Sequence, residues 1–321
     1  MTNGPTQTTP AGAGPLGPRH AWAAYAVLLF GYLAVGVAAQ GFNVLGGLWA
    51  SEGIAIALPA FLWIVAAGVK PGPLLGLASV SWKWIAITVV TALLNQPAVT
   101  LLEHLAHSYL FHDWVVAFDQ KTAFLENIFL RDFWPMTLTV TIAAPLGEEL
   151  FFRGYAFPLL AWGGRLDKNT LPYNTPLAAA LISGMLFSAI HFDPIGFIGL
   201  AEIGVWLAVL RWGSGSLLAP LLGHALNNAA ASLAFRMGWQ DPTEVPPTWL
   251  LGLGALCLLA LAVGAQRVLS GATPVPARQI AVDGAGGKLR HRRAWPLWLF
   301  WGLACSAGLL RVVQLSGKLG R

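Results

Sequence analysis

The chain has 321 residues, of which 56% are hydrophobic and only 10% charged, whereas a soluble domain carries about 25% charged residues. Apolar runs of about 20 residues with few interruptions exclude both an ordinary soluble enzyme and an outer-membrane barrel of short alternating segments. The formal charge of +5 is better read as Lys and Arg gathered in inner loops than as a nucleic-acid surface. What remains is an all-α, polytopic helical membrane protein of about eight to nine transmembrane helices.

Residues 1–18, rich in Thr, Pro and Gly, read as a disordered N-terminal tail. Arg19 precedes the first apolar run, Ala21 to Ala39. Val37-Ala38-Ala39 resembles a signal-peptidase site, but the run exceeds an h-region of about 7–15 residues and its flank is barely basic, so an uncleaved span is expected. Further spans are expected near 52–69, 83–103, 133–160, 175–192, 194–211, 217–237, 248–267 and 294–311. Residues 19–130 then hold the N-terminal spans and an interfacial segment, in which 104–132 mix charges with Tyr109, Phe111, Trp114, Phe118, Phe124 and Phe129. That mixture suits a helix lying along the outer surface, or a loop with aromatic-belt residues. Residues 131–240 form the central block, 241–267 a following helix, 268–293 a basic linker and 294–321 an extra C-terminal helix. Cys257 and Cys305 fall inside apolar runs and read as small buried hydrophobes.

A cytoplasmic N-terminus would put Arg19, Lys70, Lys83, Arg165, Lys168, Arg211, Arg267, Arg278, Lys288, Arg290, Arg292 and Arg293 inside. Glu52, Asp113, Asp119, Asp132, Asp193, Asp241 and Glu244 would lie outside. Lys121, Arg131, Arg236, Arg311, Lys318 and Arg321 run against the pattern. The expected location is therefore the bacterial inner (plasma) membrane, with the N-terminus in the cytoplasm. No internal repeat of the transporter kind is visible.

The run Pro145-Leu146-Gly147-Glu148-Glu149-Leu150-Phe151-Phe152-Arg153-Gly154 places three charges in apolar surroundings. Each such residue costs about 2.5–3.5 kcal/mol on insertion scales, so it is a functional candidate. Glu149 and Arg153 are four apart, share a helix face and can neutralise each other, whereas Glu148 points about 100° away with no partner in its helix. Phe187 and His191 are again four apart, as are His224 and Asn228, a spacing that lets the second pair address one ligand. A single intramembrane His or Asn is usually interhelical glue, and Asn227 is read so or as a neighbour of the site. Glu202 is open between glue and site edge. His104, His107 and His112 sit near an interface without an accompanying intramembrane carboxylate. Ser183 and Ser188 look like packing residues, so no nucleophile is evident. Taken together, Glu148, His191, His224 and Asn228 compose a site for water activation and oxyanion stabilisation, since a carboxylate in an apolar cavity can serve as a base near neutrality.

These motifs, Glu148-Glu149-x-x-x-Arg153, Phe187-x-x-x-His191 and His224-x-x-x-Asn228, resemble those of the CPBP intramembrane proteases. That family includes CAAX prenyl endopeptidases and bacteriocin-processing or immunity proteins. The resemblance covers roughly residues 130–237 and makes 131–240 the catalytic core. It implies Glu148 and His191 as the groups that activate water, His224 and Asn228 as the oxyanion site, and Glu149, Arg153 and Phe187 as supporting groups. The family's naming as metalloproteases also suggests a divalent metal such as zinc, for which Glu148, His191 and His224 could supply three ligands; a metal-free glutamate mechanism needs the same residues and is preferred. The implied activity is endopeptidase cleavage of a membrane-associated protein or peptide, lipidated or membrane-anchored, or of the C-terminal sorting helix of exported proteins. The rival classes are a non-catalytic immunity or peptide-binding membrane protein and a proton-coupled transporter.

Overall fold

The computed structural model describes residues 16–111, 123, 127–162, 175–238, 245–271 and 295–319. In chain order its helices are α1 (Pro18–Gln40), α2 (Val44–Ala67), a short α3 (Pro71–Leu75), α4 (Trp82–Leu110), α5 (133–162), α6 (Pro176–Ala189), α7 (Phe197–Ser214), α8 (Leu218–Arg236), α9 (Thr248–Leu269) and α10 (Trp295–Leu319). Among the described residues five of these (α1, α2, α4, α7 and α9) are long and apolar enough to cross a membrane, while α6 and the stretch Trp298–Leu310 are shorter apolar helices. The chain is a polytopic helical membrane protein, and each expected span coincides with one of the helices other than α3.

Three expectations change. Glu52, expected in an outer loop, lies inside α2 and is buried. Asn43 caps this helix by accepting from the Gly46 amide at 2.7 Å. Gly47 then packs directly on the backbone of Ala39 and Gln40, where any side chain would collide. The glycines serve close packing, so the helix begins at Val44 and carries Glu52 inward. Arg211, expected in an inner loop, is buried near the end of α7. It donates from Nε to the Arg153 carbonyl at 3.2 Å and from Nη2 to the Leu74 carbonyl at 3.3 Å, fastening α3 and α5 to α7. Residues 104–110, expected in an interfacial segment, simply continue α4, with His104 and His107 on its last turns. His112, Trp114, Phe118 and Phe124 lie outside the described residues, as do the tail up to residue 15, Asp113, Asp119, Lys121, Arg165, Lys168, Asp241, Glu244 and the linker charges from 278 to 293.

The main apolar core is built from α1, α2, α5, α6 and α7 around Tyr25, Phe151, Phe152, Tyr155, Phe187 and Leu207. Ser188, at the end of α6, donates to the Phe197 carbonyl at 2.7 Å and closes the turn into α7. The C-terminal α10 packs on α1 and α2 through a second, smaller cluster of Ala34, Val35, Leu62, Trp301 and Cys305. Cys257 and Cys305 are both free and buried.

Candidate active site

Glu148 and Glu149 sit between two π-helical turns of α5, Thr139–Ala143 and Leu150–Ala156, the second of which carries Arg153; such a widening recurs at functional sites. Pro145 contributes to it by removing a backbone donor just after the first of these turns. Glu149 and Arg153 are wholly buried and joined by a 2.7 Å bond from Nη1 to Oε1. Arg153 also donates to the Gly204 carbonyl of α7 at 2.9 Å and lies 4.4 Å over the Phe187 ring of α6. One guanidinium thus ties three helices together, as a buried charge must if it is to be tolerated.

Glu148 faces the other way, as helical spacing requires. Its Oε1 is 3.8 Å from His191 Nε2 and its Oε2 is 3.7 Å from His224 Nε2. Both gaps exceed a direct hydrogen bond, and a polar separation of this size invites a shared water. The opposite nitrogen of each imidazole is anchored. His191 Nδ1 donates to the Phe187 carbonyl at 2.9 Å, and His224 Nδ1 donates to Glu149 Oε1 at 2.9 Å. Because a carbonyl only accepts, the proton of neutral His191 is on Nδ1 and its Nε2 carries the lone pair. The Phe187 ring lies 5.0 Å from His191 and 5.7 Å from His224, walling the imidazoles on one side.

The structure therefore brings Glu148, Glu149, Arg153, Phe187, His191 and His224 into one cluster where α5, α6 and α8 meet. Asn228 is less central: its Nδ2 donates to the Val140 carbonyl at 2.8 Å, eight residues before Glu148. Asn227 is glue, accepting from Gln96 Nε2 of α4 at 2.7 Å. Glu202 is glue as well. With its amide nitrogen facing α7, Asn95 of α4 donates to both Glu202 oxygens, 3.1 and 2.9 Å away. Sequence reasoning missed two members of the neighbourhood. One is the second bond to Glu149, from His224, which depends on how α5 and α8 pack. The other is Glu52, whose only signal was an acidic residue at the start of an apolar run.

For the zinc expectation, the arrangement of donors is the test. Among the described residues no group of three or more His, Cys, Asp or Glu side chains is placed to hold a metal ion. No step below is routed through a metal.

Residues 130–230 match the family described as type II CAAX prenyl endopeptidase Rce1-like. This segment is an Rce1-like endopeptidase domain. It runs from just before α5 through most of α8 and holds every residue of the cluster from Glu148 to Asn228, as the three motifs had implied. The family is one of peptide hydrolases, and the segment that matches it lies among membrane-spanning helices. The matched segment thus supports an intramembrane protease of the CAAX type. The Rce1-like segment leaves α1–α4, α9 and α10 uncovered. No curated protein and no solved structure matches the chain.

Proposed function

We propose that the enzyme cuts a peptide bond in a lipidated or membrane-anchored protein or peptide, using water activated by Glu148 and His191 without a metal. The observation that carries this reading is the placement of two imidazole Nε2 atoms on the two different oxygens of one buried carboxylate, at 3.8 and 3.7 Å. A water between His191 Nε2 and Glu148 Oε1 directs one hydrogen to each acceptor and presents its own lone pair to a carbonyl carbon. Glu148 takes the water proton as the C–O bond forms, and delivers it to the amine nitrogen as the C–N bond breaks.

The negative oxygen of the tetrahedral intermediate falls toward α8. As an imidazolium, His224 offers Nε2–H to that oxygen while its Nδ1–H stays on Glu149. Asn228 has a second amide hydrogen beyond the one given to Val140 and adds a donor from the next turn. Glu149, Arg153 and Phe187 support the reacting groups by fixing the imidazole of His224 and the roll of α5. Proteins with a prenylated C-terminus are the first substrate class to try, because that is what the matching family's description names; the C-terminal sorting helix of exported proteins is the alternative. The setting we infer is the bacterial inner membrane with a cytoplasmic N-terminus, supported by the distribution of Lys and Arg.

The test compares new protein termini in membranes of cells carrying wild type, Glu148→Ala or His224→Ala. Termini lost equally in both variants, with both proteins folded, support the reading and name the substrate. Unchanged termini in both would sink it.

A further inference from the structure

α6 ends at Ala189 in a turn closed by two backbone bonds. The His191 amide donates to the Ser188 carbonyl at 3.1 Å and the Phe192 amide to the Ala189 carbonyl at 3.3 Å. Phe192 leaves this turn with a φ of 49°, and among the described residues it is the one non-glycine with a positive φ. Helices commonly end on a left-handed residue, but the place goes to glycine or asparagine, because a bulky side chain occupies it at a cost. Such strain persists where the surroundings over-determine it, and it gathers at functional sites. Phe192 is moreover 58% exposed, so burial in the core does not offset the cost.

What the ring meets is Tyr32. The two rings are stacked, with centroids 6.2 Å apart and planes inclined by 25°. Tyr32 belongs to the π-helical turn Tyr32–Gly36 of α1, outside the segment that matches the endopeptidase family, and packs on the main core. The C-terminal α10 braces the same stretch of α1: Trp301 rests on Gly31, and Gly308 leaves no room for a side chain against the Ala34 carbonyl. Tyr32 is therefore a fixed support on which Phe192 is laid. The pair stands at the open side of the site. The His191 side chain is 29% exposed, against 7% for Glu148 and 5% for His224, so a peptide reaches the carboxylate from the His191 side. Phe192 follows His191 directly in the chain, on that approach.

We propose that Phe192 is a specificity-determining residue of the peptidase, its exposed ring face taking the aliphatic side chain of the substrate residue next to the scissile bond. Tyr32 is the positioning residue that sets the ring. One ring face matches one side chain in area and is too small for a lipid chain. Its neighbour in sequence is the imidazole assigned to the attacking water. The inference rests on the reading of this cluster as the peptidase site. It explains why a bulky aromatic is kept in a strained and exposed place, and why α1 and α10 reach the site from outside the Rce1-like segment. A ring serving only as an interfacial anchor needs neither the strain nor the stack on Tyr32.

The experiment uses the full chain in detergent with two fluorogenic farnesylated CAAX peptides, carrying Leu or Ala after the modified cysteine, and compares wild type with F192G, Y32F, Y32L and E148Q. Wild type prefers the Leu peptide by about 10–100-fold in kcat/KM, the range that a few methylenes in an apolar contact give. In F192G the preference shrinks to about threefold or less, while the melting temperature holds or rises, because glycine takes the left-handed turn without strain. Y32F keeps the ring and with it the preference, whereas Y32L cuts the preference by about threefold or more. The shift in melting temperature that each peptide gives on the E148Q background reads the same preference without turnover. A wild type that treats the peptides alike, an F192G that keeps the preference or loses stability along with it, or a Y32L that matches Y32F overturns the proposal. So does an F192G whose change follows the lipid (farnesyl against geranylgeranyl) and not the side chain. An E148Q that still cleaves overturns instead the reading of Glu148 as base, whatever the peptide preferences.

Discussion

Two carboxylates buried in apolar helices, Glu202 of α7 and Glu148 of α5, differ in what their oxygens meet. Both Glu202 oxygens receive hydrogen bonds from the Asn95 amide of the neighbouring helix, so the group is satisfied at rest. Glu148 has imidazole nitrogens at 3.7–3.8 Å and an oxygen with no partner among the described residues. A buried polar group left short of partners is expensive, and it persists where the missing partner is a reactant. Between the two stands Glu149, whose Oε1 accepts twice while its Oε2 has no hydrogen-bond partner among the described residues, so what sets Glu148 apart is the pair of imidazoles that face its two oxygens from beyond bonding distance.

The sharpest way to break that contrast is Glu148→Gln. Removing a general base lowers kcat by about 10²–10⁴-fold, and because an unsatisfied charge is removed, thermal stability should hold or rise. Cleavage rate and melting temperature measured on one preparation decide it, and a destabilised protein would put Glu148 in the structural class with Glu202. Next in size is Arg153→Met, which strips the buried acid Glu149 of its cation. Breaking a buried pair from one side costs about 3–5 kcal/mol, read as loss of stability in detergent unfolding. The double variant Glu149→Gln, Arg153→Met should recover part of it.

The division between legible and hidden features follows range along the chain. Glu149 and Arg153 are neighbours within one helix, and Phe187 and His191 span the last turn of α6 and the turn that follows it, so a period of 3.6 residues suffices to pair them. That same period left Glu148 facing away, which the structure bears out. The bond from His224 to Glu149 and the fastening of α3 and α5 by Arg211 depend on the approach of separate helices, about which residue spacing carries no information. Asn228 shows the limit from the other side: its spacing from His224 is helical, but the carbonyl of Val140 is what it reaches. Glu52 was hidden because its helix begins at Val44, eight residues before the span expected from residue 52.

Close packing supplies a third, smaller test. Gly184 of α6 and Gly204 of α7 touch, since a Cβ on Gly204 would lie 2.5 Å from the Gly184 Cα. Small residues at such crossings let membrane helices approach. Gly204→Ala should destabilise by about 1–3 kcal/mol through overpacking. Because the Gly204 carbonyl accepts from Arg153, the strain should also loosen the site and lower kcat; a destabilised enzyme with full kcat would show that Arg153 does not depend on this crossing.

The smallest expected effect is the control for the whole contrast. Glu202→Gln leaves a carbonyl oxygen to accept from Asn95 and removes a charge that the site does not use. Interhelical hydrogen bonds in membranes average about 0.6 kcal/mol, so stability should change by no more than that, and kcat and KM should not change. If kcat fell instead, the Asn95–Glu202 pair would be feeding the reaction across α7, and a pair of well-made hydrogen bonds would no longer mark an acid as structural. A silent Glu202→Gln beside a dead Glu148→Gln assigns the chemistry to the acid whose oxygens are left open.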